Sequence, residues 1–441
     1  MRSPILLLAA LALALIGCTR TAATTSSVSS TSTSSGAVTS TSGDSTGTTQ
    51  ITLPAGTEEL PEALREEIAR LIPITEELRG LEFLEPPTIR VITSAELTAE
   101  VIAEYEENYE DVEADEALYE LLGLIGPDVD LLSTITALYG SSVIGYYSGE
   151  DGELVVTAVD EGSFTPMEKV TLVHELTHSL TDQYHSFYER LDALGEGYQF
   201  DEAAAYLALI EGDATLTELI YAQQLPPTEQ QQFLEEAFSV DTTVFDQSPP
   251  FLQDSLSFPY ESGTGFVQTL YEAGGYLAID EAYADPPLST EQVIEPADFG
   301  RDEPQVVPLE SMELPGYEVA YGSTWGELGL RLMFDQVLGG ADAAAGGWGG
   351  DSYDLFFNGS EAVFVMVYQG DEASDSVELV EALVDYIEVG MGLTEPVADG
   401  NGQAFTGDDY AFVSNSGGQV VFIAAGVPAD GATARAWFSG F

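Results

Sequence analysis

The only three histidines of this 441-residue chain lie in the segment VTLVHELTHSLTDQYH, at positions 174, 178 and 185. His174 and His178 are four residues apart, a spacing that places them one turn apart on the same face of a helix. Two imidazole nitrogens can therefore converge on one cation, with Glu175 beside it. This is the HExxH pattern, in which the histidines bind zinc and the glutamate is the general base. We therefore expect His174 and His178 to bind Zn²⁺ and Glu175 to act in catalysis.

A catalytic zinc site needs a third protein ligand, and no suitably placed histidine remains. Residues 200–225, FDEAAAYLALIEGDATLTELIYAQQL, predict one long helix with an unusually apolar middle. Glu211 lies in that apolar stretch, where an acid is costly unless an opposite charge pairs with it. Gly212 follows, and we expect it to allow close approach of this helix to the histidine helix. Glu211 is the expected third ligand, and the alternatives are Asp213 and Glu202.

The remaining roles follow from the chemistry of such a site. A divalent cation acidifies water, and Glu175 would pass the proton to the leaving amine. Asp182, four residues after His178, is expected to orient a ligand imidazole by a hydrogen bond, with Asp213 as a second supporting acid. The candidate donors to the developing oxyanion are Tyr260, Tyr184 and His185. A core or surface role is the alternative for each of these three residues.

The charge of the chain is strongly negative, with 76 acidic against 11 basic residues and a net charge of -65. The acids are spread along the chain, which favours a folded acidic surface over a disordered acidic tail. At about 1 M ionic strength the Debye length is about 3 Å, so such a surface suits high salt. We expect a halophilic or marine source. Nucleic acid is excluded as a partner because the chain has too few cations to neutralise phosphates.

The N-terminus predicts export. Residues 5–16 form an apolar run that is too short to span a bilayer as a helix. Residues 15–18, LIGC, resemble a bacterial lipobox, in which cleavage precedes a cysteine that then carries lipid. We expect a signal peptide at residues 1–17, a lipidated Cys18 and a location on the membrane outside the cytoplasm. The alternative is a secretory signal with an incidental cysteine. Residues 18–52 are rich in serine and threonine and predict a flexible tether.

The rest of the chain predicts an α+β protein. Apolar spacing in EELPEALREEIARLIPITEELRG and SAELTAEVIAEYEENYE indicates helices, PTIRVIT a strand and SSVIGYYSGEDGELVVTAVD a hairpin. A capping box at residues 165–168 begins the histidine helix. Later, AVFVMVYQG and GQVVFIAAGV predict strands, DSVELVEALVDYIEVG a helix and GWGGD a turn. We place a catalytic core at residues 53–280 and a C-terminal α+β lobe at residues 281–441. Acid clusters such as DGNG, residues 399–402, are candidates for Ca²⁺, with solvated loops as the alternative.

HELTH followed by the glutamate of EGDA resembles the gluzincin type of zinc metallopeptidase, whose third ligand is a glutamate on a following helix. The wider pattern is similar to a little-characterised group of bacterial exported proteins. The shared motifs are HELTHSLTDQ, EGDAT, FPYESGTGFV, STEQV, WGELGLRL and GWGGDSY. The chain departs from that group at Glu295, where histidine is usual, and at Ser352, where arginine is usual. The resemblance implies a zincin-like, mainly helical fold with a small sheet over the HExxH helix. It also implies an edge strand that holds an extended peptide, which we expect at residues 153–159.

These patterns predict an exported, lipid-anchored zinc metallopeptidase that acts on a peptide or protein substrate. One alternative is a zincin-fold binding or scaffold lipoprotein with weak or no turnover. The other is a hydrolase of a non-peptide amide. Retention of Glu175 favours catalysis over an inactive fold.

Overall fold

The computed structural model describes residues 8–11, 55–57, 60–108, 111–158, 163–310, 312–339 and 342–439. The predicted lipidation site Cys18 and the whole of the predicted tether, residues 18–52, lie outside the described residues. The predicted signal peptide is described only at Leu8–Leu11. None of the helices in these ranges combines the length and the apolar character needed to cross a bilayer.

A small sheet packs against the histidine helix. Its strands, in spatial order β1-β3-β4-β2, are β1 (Leu8–Leu11), β3 (Val143–Ser148), β4 (Glu153–Thr157) and β2 (Thr88–Ile92). Strands β3 and β4 form the predicted hairpin, while β2 joins β4 in parallel. The prediction of an edge strand at residues 153–159 is therefore wrong, because β4 is paired on both sides. Its second partner comes from a segment about sixty residues earlier, which local sequence patterns do not reveal.

Helices account for most of the described residues before residue 300, and those at Ser94–Asn108 and Pro166–His185 pack on the small sheet. The helices are α1 (Glu62–Arg79), α2 (Ser94–Asn108), α3 (Val112–Leu121), α4 (Leu131–Ser142), α5 (Pro166–His185), α6 (Phe187–Glu196), α7 (Phe200–Gln224), α8 (Pro227–Ala237), α9 (Thr243–Gln247), α10 (Pro250–Gly274), α11 (Tyr276–Ala284) and α12 (Thr290–Ile294). Helix α7 packs against α5 on one side and α10 on the other. This places the two helices that carry the expected zinc ligands in direct contact.

The histidine helix α5 begins as predicted. The Glu168 N–H donates to Thr165 Oγ1 (3.2 Å), and the Thr165 N–H donates to Glu168 Oε2 (2.7 Å), which completes the capping box. Its apolar side chains Val170, Val173 and Leu176 are fully buried. Burial of an apolar face contributes roughly 1.5–3 kcal/mol for each large side chain, so this face fixes the rotation of the helix about its axis.

The C-terminal part contains a second, fully antiparallel sheet. Its strands, in spatial order β5-β6-β7-β11-β10-β9-β8, are β5 (Glu318–Ser323), β6 (Trp348–Phe357), β7 (Ala362–Gly370), β11 (Gln419–Ala425), β10 (Tyr410–Ser416), β9 (Gly402–Thr406) and β8 (Val397–Asp399). The associated helices are α13 (Gly326–Leu338), α14 (Asp342–Ala345), α15 (Ala373–Val389) and α16 (Pro428–Trp437). The described part of the chain is thus an α+β protein, as predicted.

The two faces of this sheet are covered by different helices. In β7, Phe364 packs in the cluster that contains Leu383 of α15, whereas Val365 packs in the cluster that contains Ala434 of α16. This alternation follows the two-residue period of a strand. The predicted turn at GWGGD is wrong, because residues 348–351 begin β6 and contain a bulge between Trp348 and Gly350. Glycines at a bulge resemble a turn when only the sequence is considered.

Candidate metal centre

The two helices bring His174, His178 and Glu211 together in the interior. The distance from His174 Nε2 to His178 Nε2 is 3.0 Å, and Glu211 Oε2 lies 3.1 Å from His174 Nε2 and 3.5 Å from His178 Nε2. All three side chains are buried. Ligands held at about 2.0–2.1 Å around a tetrahedral zinc ion are about 3.3–3.4 Å apart, so these three atoms have the spacing of such a set. The three residues form a cluster that can bind a metal ion.

A fourth residue, Glu218, supports this cluster and was missed by sequence reasoning. Its Oε2 lies 3.2 Å from His174 Nδ1, on the side of the ring opposite to Glu211. Glu218 is buried and lies seven residues after Glu211, which places both on the same face of α7. That spacing was the signal that could have identified it. A carboxylate on the second ring nitrogen fixes the tautomer of a metal-ligating histidine.

The charges within the cluster are strongly coupled. Burial alone would lower the pKa of His174, but the carboxylates of Glu218 and Glu211 outweigh it and raise that pKa well above its usual value. Burial lowers the pKa of His178. Burial would raise the pKa of Glu211, but the two imidazoles outweigh it and lower this pKa to about 2. Glu211 is thus an anion at neutral pH, as a metal ligand must be.

Asp213 does not belong to the ligand set. Its carboxylate lies 2.9 Å from Arg79 Nε and accepts a hydrogen bond from Tyr283 (3.2 Å). Arg79 is fully buried and also pairs with Asp280 (2.6 Å). Asp213 therefore anchors α7 to α1 and α11 next to the cluster. The other alternative ligand, Glu202, pairs with Arg190 (3.0 Å) near the surface.

Gly212 has a different partner from the one expected. A Cβ atom on Gly212 would lie 2.3 Å from the carbonyl oxygen of Gly263 in α10, and a Cβ on Gly263 would lie 2.2 Å from the carbonyl oxygen of Ala208. The close approach is therefore between α7 and α10 and not between α7 and α5, so this prediction is wrong. This contact brings Tyr260 of α10 to the same cavity as Glu211.

A cavity of about 340 Å³ opens beside Glu211. Its walls are mainly aromatic and aliphatic, and Tyr139 and Tyr260 are among the lining residues. Burial and the charge of Glu211 raise the pKa of Tyr139 to about 12, so its hydroxyl keeps its proton at neutral pH. Tyr260 was predicted from its motif. Tyr139 comes from α4, and its local sequence gave no indication of this position.

Glu175 lies in the interior next to the small sheet. Its side chain is fully buried, and its Cγ is 3.4 Å from the point where a Cβ on Gly145 of β3 would stand. Glycine at this strand position lets the backbone of β3 approach the glutamate. The Glu175 side chain therefore has the backbone of β3 beside it, and the two histidines of the cluster lie on its own helix.

The other predicted residues have partners of their own. Asp182 accepts hydrogen bonds from the Tyr147 hydroxyl on Oδ2 (2.9 Å) and from the Tyr188 N–H on Oδ1 (3.0 Å). The predicted hydrogen bond to a ligand imidazole is wrong, because both carboxylate oxygens have these other donors and His178 Nδ1 has no hydrogen-bond partner among the described residues. His185 stacks on Tyr283 with ring centroids 4.3 Å apart, and its Nε2 lies 3.4 Å from Asp280 Oδ1.

Tyr184, the third candidate donor, is 41% exposed, and its hydroxyl donates to the carbonyl oxygen of Glu82 (2.6 Å). Tyr260 is therefore the predicted oxyanion donor that lines the cavity with Glu211.

The fold and the site together define an α+β protein with a buried cluster of two histidines and one glutamate that can hold a metal ion. A family described as a domain of unknown function (DUF8575) matches residues 317–435. The match begins one residue before β5, ends within α16 and leaves the cluster of His174, His178 and Glu211 outside it. The expected lobe boundary at residue 280 falls within α11. No curated protein and no solved structure matches the chain.

Proposed function

We propose that this chain is a zinc metallopeptidase of gluzincin type with a zincin-like fold. The observation that carries the proposal is the buried triangle of His174 Nε2, His178 Nε2 and Glu211 Oε2, with separations of 3.0 to 3.5 Å. Two imidazole nitrogens and one carboxylate match the donor set of catalytic zinc, and the raised pKa of His174 means that binding the ion would release a proton from this ring. His174, His178 and Glu211 would hold the ion.

A bound zinc ion would supply Lewis-acid polarisation of the scissile carbonyl and would acidify water. Glu175, which follows the first ligand on α5, would accept the proton of the attacking water and deliver it to the leaving nitrogen. Tyr260 and Tyr139 line the same cavity as Glu211, and their hydroxyls would donate to the carbonyl oxygen as its charge develops.

The edge of β3 would supply a place for an extended substrate. Leu8–Leu11 pairs antiparallel with β3, and Ala10 stands opposite Gly145, the residue that borders Glu175. Because Leu8–Leu11 lies in the predicted signal peptide, its removal would expose the edge of β3. A peptide added to that edge by main-chain hydrogen bonds would pass directly beside the general base. The aromatic cavity beside Glu211 would then receive a large apolar side chain of the peptide.

We also propose that the chain is exported and held at the membrane by lipid on Cys18. The support is the lipobox-like sequence LIGC after an apolar run and the serine- and threonine-rich segment that follows.

The test is cleavage of a peptide library by the full chain in a high-salt buffer. We expect cleavage that a chelator abolishes and added zinc restores. Glu175→Gln should keep its zinc by metal analysis and lose about 10²–10⁴-fold in rate, because only proton transfer is removed. Glu189→Gln, an exposed glutamate on the next helix, is the matched control and should retain activity. Zinc binding without any cleavage would contradict the enzyme and favour the scaffold protein.

A further inference from the structure

A second group of carboxylates lies away from the histidine cluster, at the junction of the helical part and the seven-stranded sheet. One oxygen each from Glu291, Asp302 and Asp371 lie within 4.8 Å of one another. They face a cavity of about 440 Å³ in which the only lining cation among the described residues is Arg331. The lining acids are Glu291, Glu295, Asp298, Asp302, Glu327 and Asp371.

The buried state of Glu291 indicates that this group binds something. Its side chain is 5% exposed, and it has no hydrogen-bond partner within the described ranges of the chain, although its carboxylate points toward Asp302 and Asp371. Glu327, on the wall of the same cavity, is 1% exposed. Its Oε1 pairs with Arg331 (2.7 Å), whereas its Oε2 lacks a hydrogen-bond partner among the residues that the structure describes. Burying a carboxylate that has no partner costs roughly several kcal/mol of folding free energy, unless a cation or a proton neutralises the charge.

The donor set selects the class of cation. All three ligating groups are carboxylates, which suit hard cations and not zinc. Glu291 is buried, Asp302 is half-buried and Asp371 is exposed, so water can complete the coordination from one side. Calcium binds roughly six to eight oxygen ligands in a flexible geometry, whereas magnesium requires near-ideal octahedral coordination.

We propose that Glu291, Asp302 and Asp371 bind a Ca²⁺ ion that braces the helical part of the molecule against the seven-stranded sheet. Glu291 lies in α12, and Asp371 follows directly after β7. The neighbouring Thr290 donates its N–H to Asp201 of α7 (3.2 Å), the helix that carries Glu211. The ion therefore ties the sheet to a short helix that is itself fastened to the metal-ligand helix.

The sequence had indicated a different place for calcium. Asp399 of the predicted DGNG cluster is the last residue of β8, and its Oδ2 lies 3.4 Å from Arg435 Nε. It is not among the groups of described residues that could hold a metal ion. Asp399 is therefore a control for non-specific attraction of calcium to an acidic chain.

The experiment is a calorimetric titration of CaCl₂ into the full chain, stripped with a chelator and kept in a high-salt buffer. We expect one saturable site and a rise in the thermal unfolding midpoint on calcium addition. Glu291→Gln should weaken the binding by at least about tenfold, because affinity depends on the number of charged ligands. Asp399→Asn should bind as the wild type does.

Asp371→Asn is a second test that does not depend on whether Glu291→Gln folds, because Asp371 is exposed. This variant should also weaken calcium binding. Absence of a saturable site in the wild type would overturn the proposal. Unchanged binding in Asp371→Asn would also overturn it. Equal affinity for MgCl₂ would overturn the assignment to calcium.

Discussion

The carboxylate of Glu218 holds the ring of His174 from the side opposite to Glu211, with Oε2 3.2 Å from Nδ1. Replacing it by glutamine removes the charge that favours the orientation and basicity of this ligand. We therefore expect Glu218→Gln to weaken zinc binding by about 10- to 100-fold, the range seen for such supporting residues. Competition with a chromogenic chelator measures this affinity directly.

The same helix offers a matched control. Glu202 also lies on α7 but pairs with Arg190 (3.0 Å), away from the cluster. Glu202→Gln should leave zinc affinity unchanged. This result would also exclude Glu202 as the third zinc ligand. A loss of affinity in Glu202→Gln, or none in Glu218→Gln, would contradict the arrangement described here.

Among the individual residues of the site, the sequence predicted those whose position follows from the geometry of a single helix. His174 and His178 follow from a spacing of four, and Glu211 follows from an acid in an apolar helix. Tyr139 could not be predicted, because its place beside Glu211 depends on packing between distant parts of the chain. Asp182 was assigned a partner from helical spacing alone, but Tyr147 of β3 provides a donor to its carboxylate.

The contact between α7 and α10 positions Glu211, and glycine makes that contact possible. In Gly212→Ala, the new Cβ would lie 2.3 Å from the carbonyl oxygen of Gly263, so the two helices must separate. We expect a loss of about 1–3 kcal/mol in the free energy of unfolding, as for other overpacked sites. Zinc affinity should fall with it, because Glu211 is the preceding residue. Urea denaturation and chelator competition measure the two effects.

Gly265 on α10 provides the matched control for this substitution. A Cβ at this position has no atom within 4 Å, and the residue lies inside a helix. Gly265→Ala should therefore stabilise the protein by up to about 1 kcal/mol through helix propensity. If Gly212→Ala behaved in the same way as Gly265→Ala, the close approach of α7 and α10 would not hold.

Helices were predicted well from the local spacing of apolar residues, whereas the pairing of strands that are distant in the sequence was predicted poorly. The capping box at Thr165 and the long helix at Phe200–Gln224 were predicted and are present. The position of β4 between two strands was not predicted, because its partner β2 lies much earlier in the sequence.

The whole molecule carries a net charge of -65, yet it buries several acids where its two parts meet. Asp351 of β6 accepts hydrogen bonds from the Trp325 N–H (2.7 Å) and the Gly326 N–H (2.9 Å) at the start of α13. Asp201 of α7 accepts the Thr290 N–H (3.2 Å) from α12. Acid counts along the sequence could not separate these buried acids from the many exposed ones, since both occur in similar local patterns.

This junction makes stability depend on pH. Burial, with the nearby charges of Asp351 and Glu327, raises the pKa of Asp201 from its ordinary 3.8 to about 7, against the opposing effect of its hydrogen bonds with Thr290. Between these two values the folded chain binds more protons than the unfolded chain, so stability falls as pH rises through this window and levels off above it.

Asp201→Asn removes this titrating group and keeps an acceptor for Thr290. The free energy of unfolding should therefore fall less steeply between about pH 4 and pH 7, by up to about 1.4 kcal/mol per pH unit. Urea denaturation at a series of pH values, in constant high salt, compares the slopes. Asp128→Asn, at an exposed position, should keep the slope of the wild type. Equal slopes in Asp201→Asn and the wild type would show that Asp201 is ionised throughout this range, and the junction would then have to stabilise a buried charge.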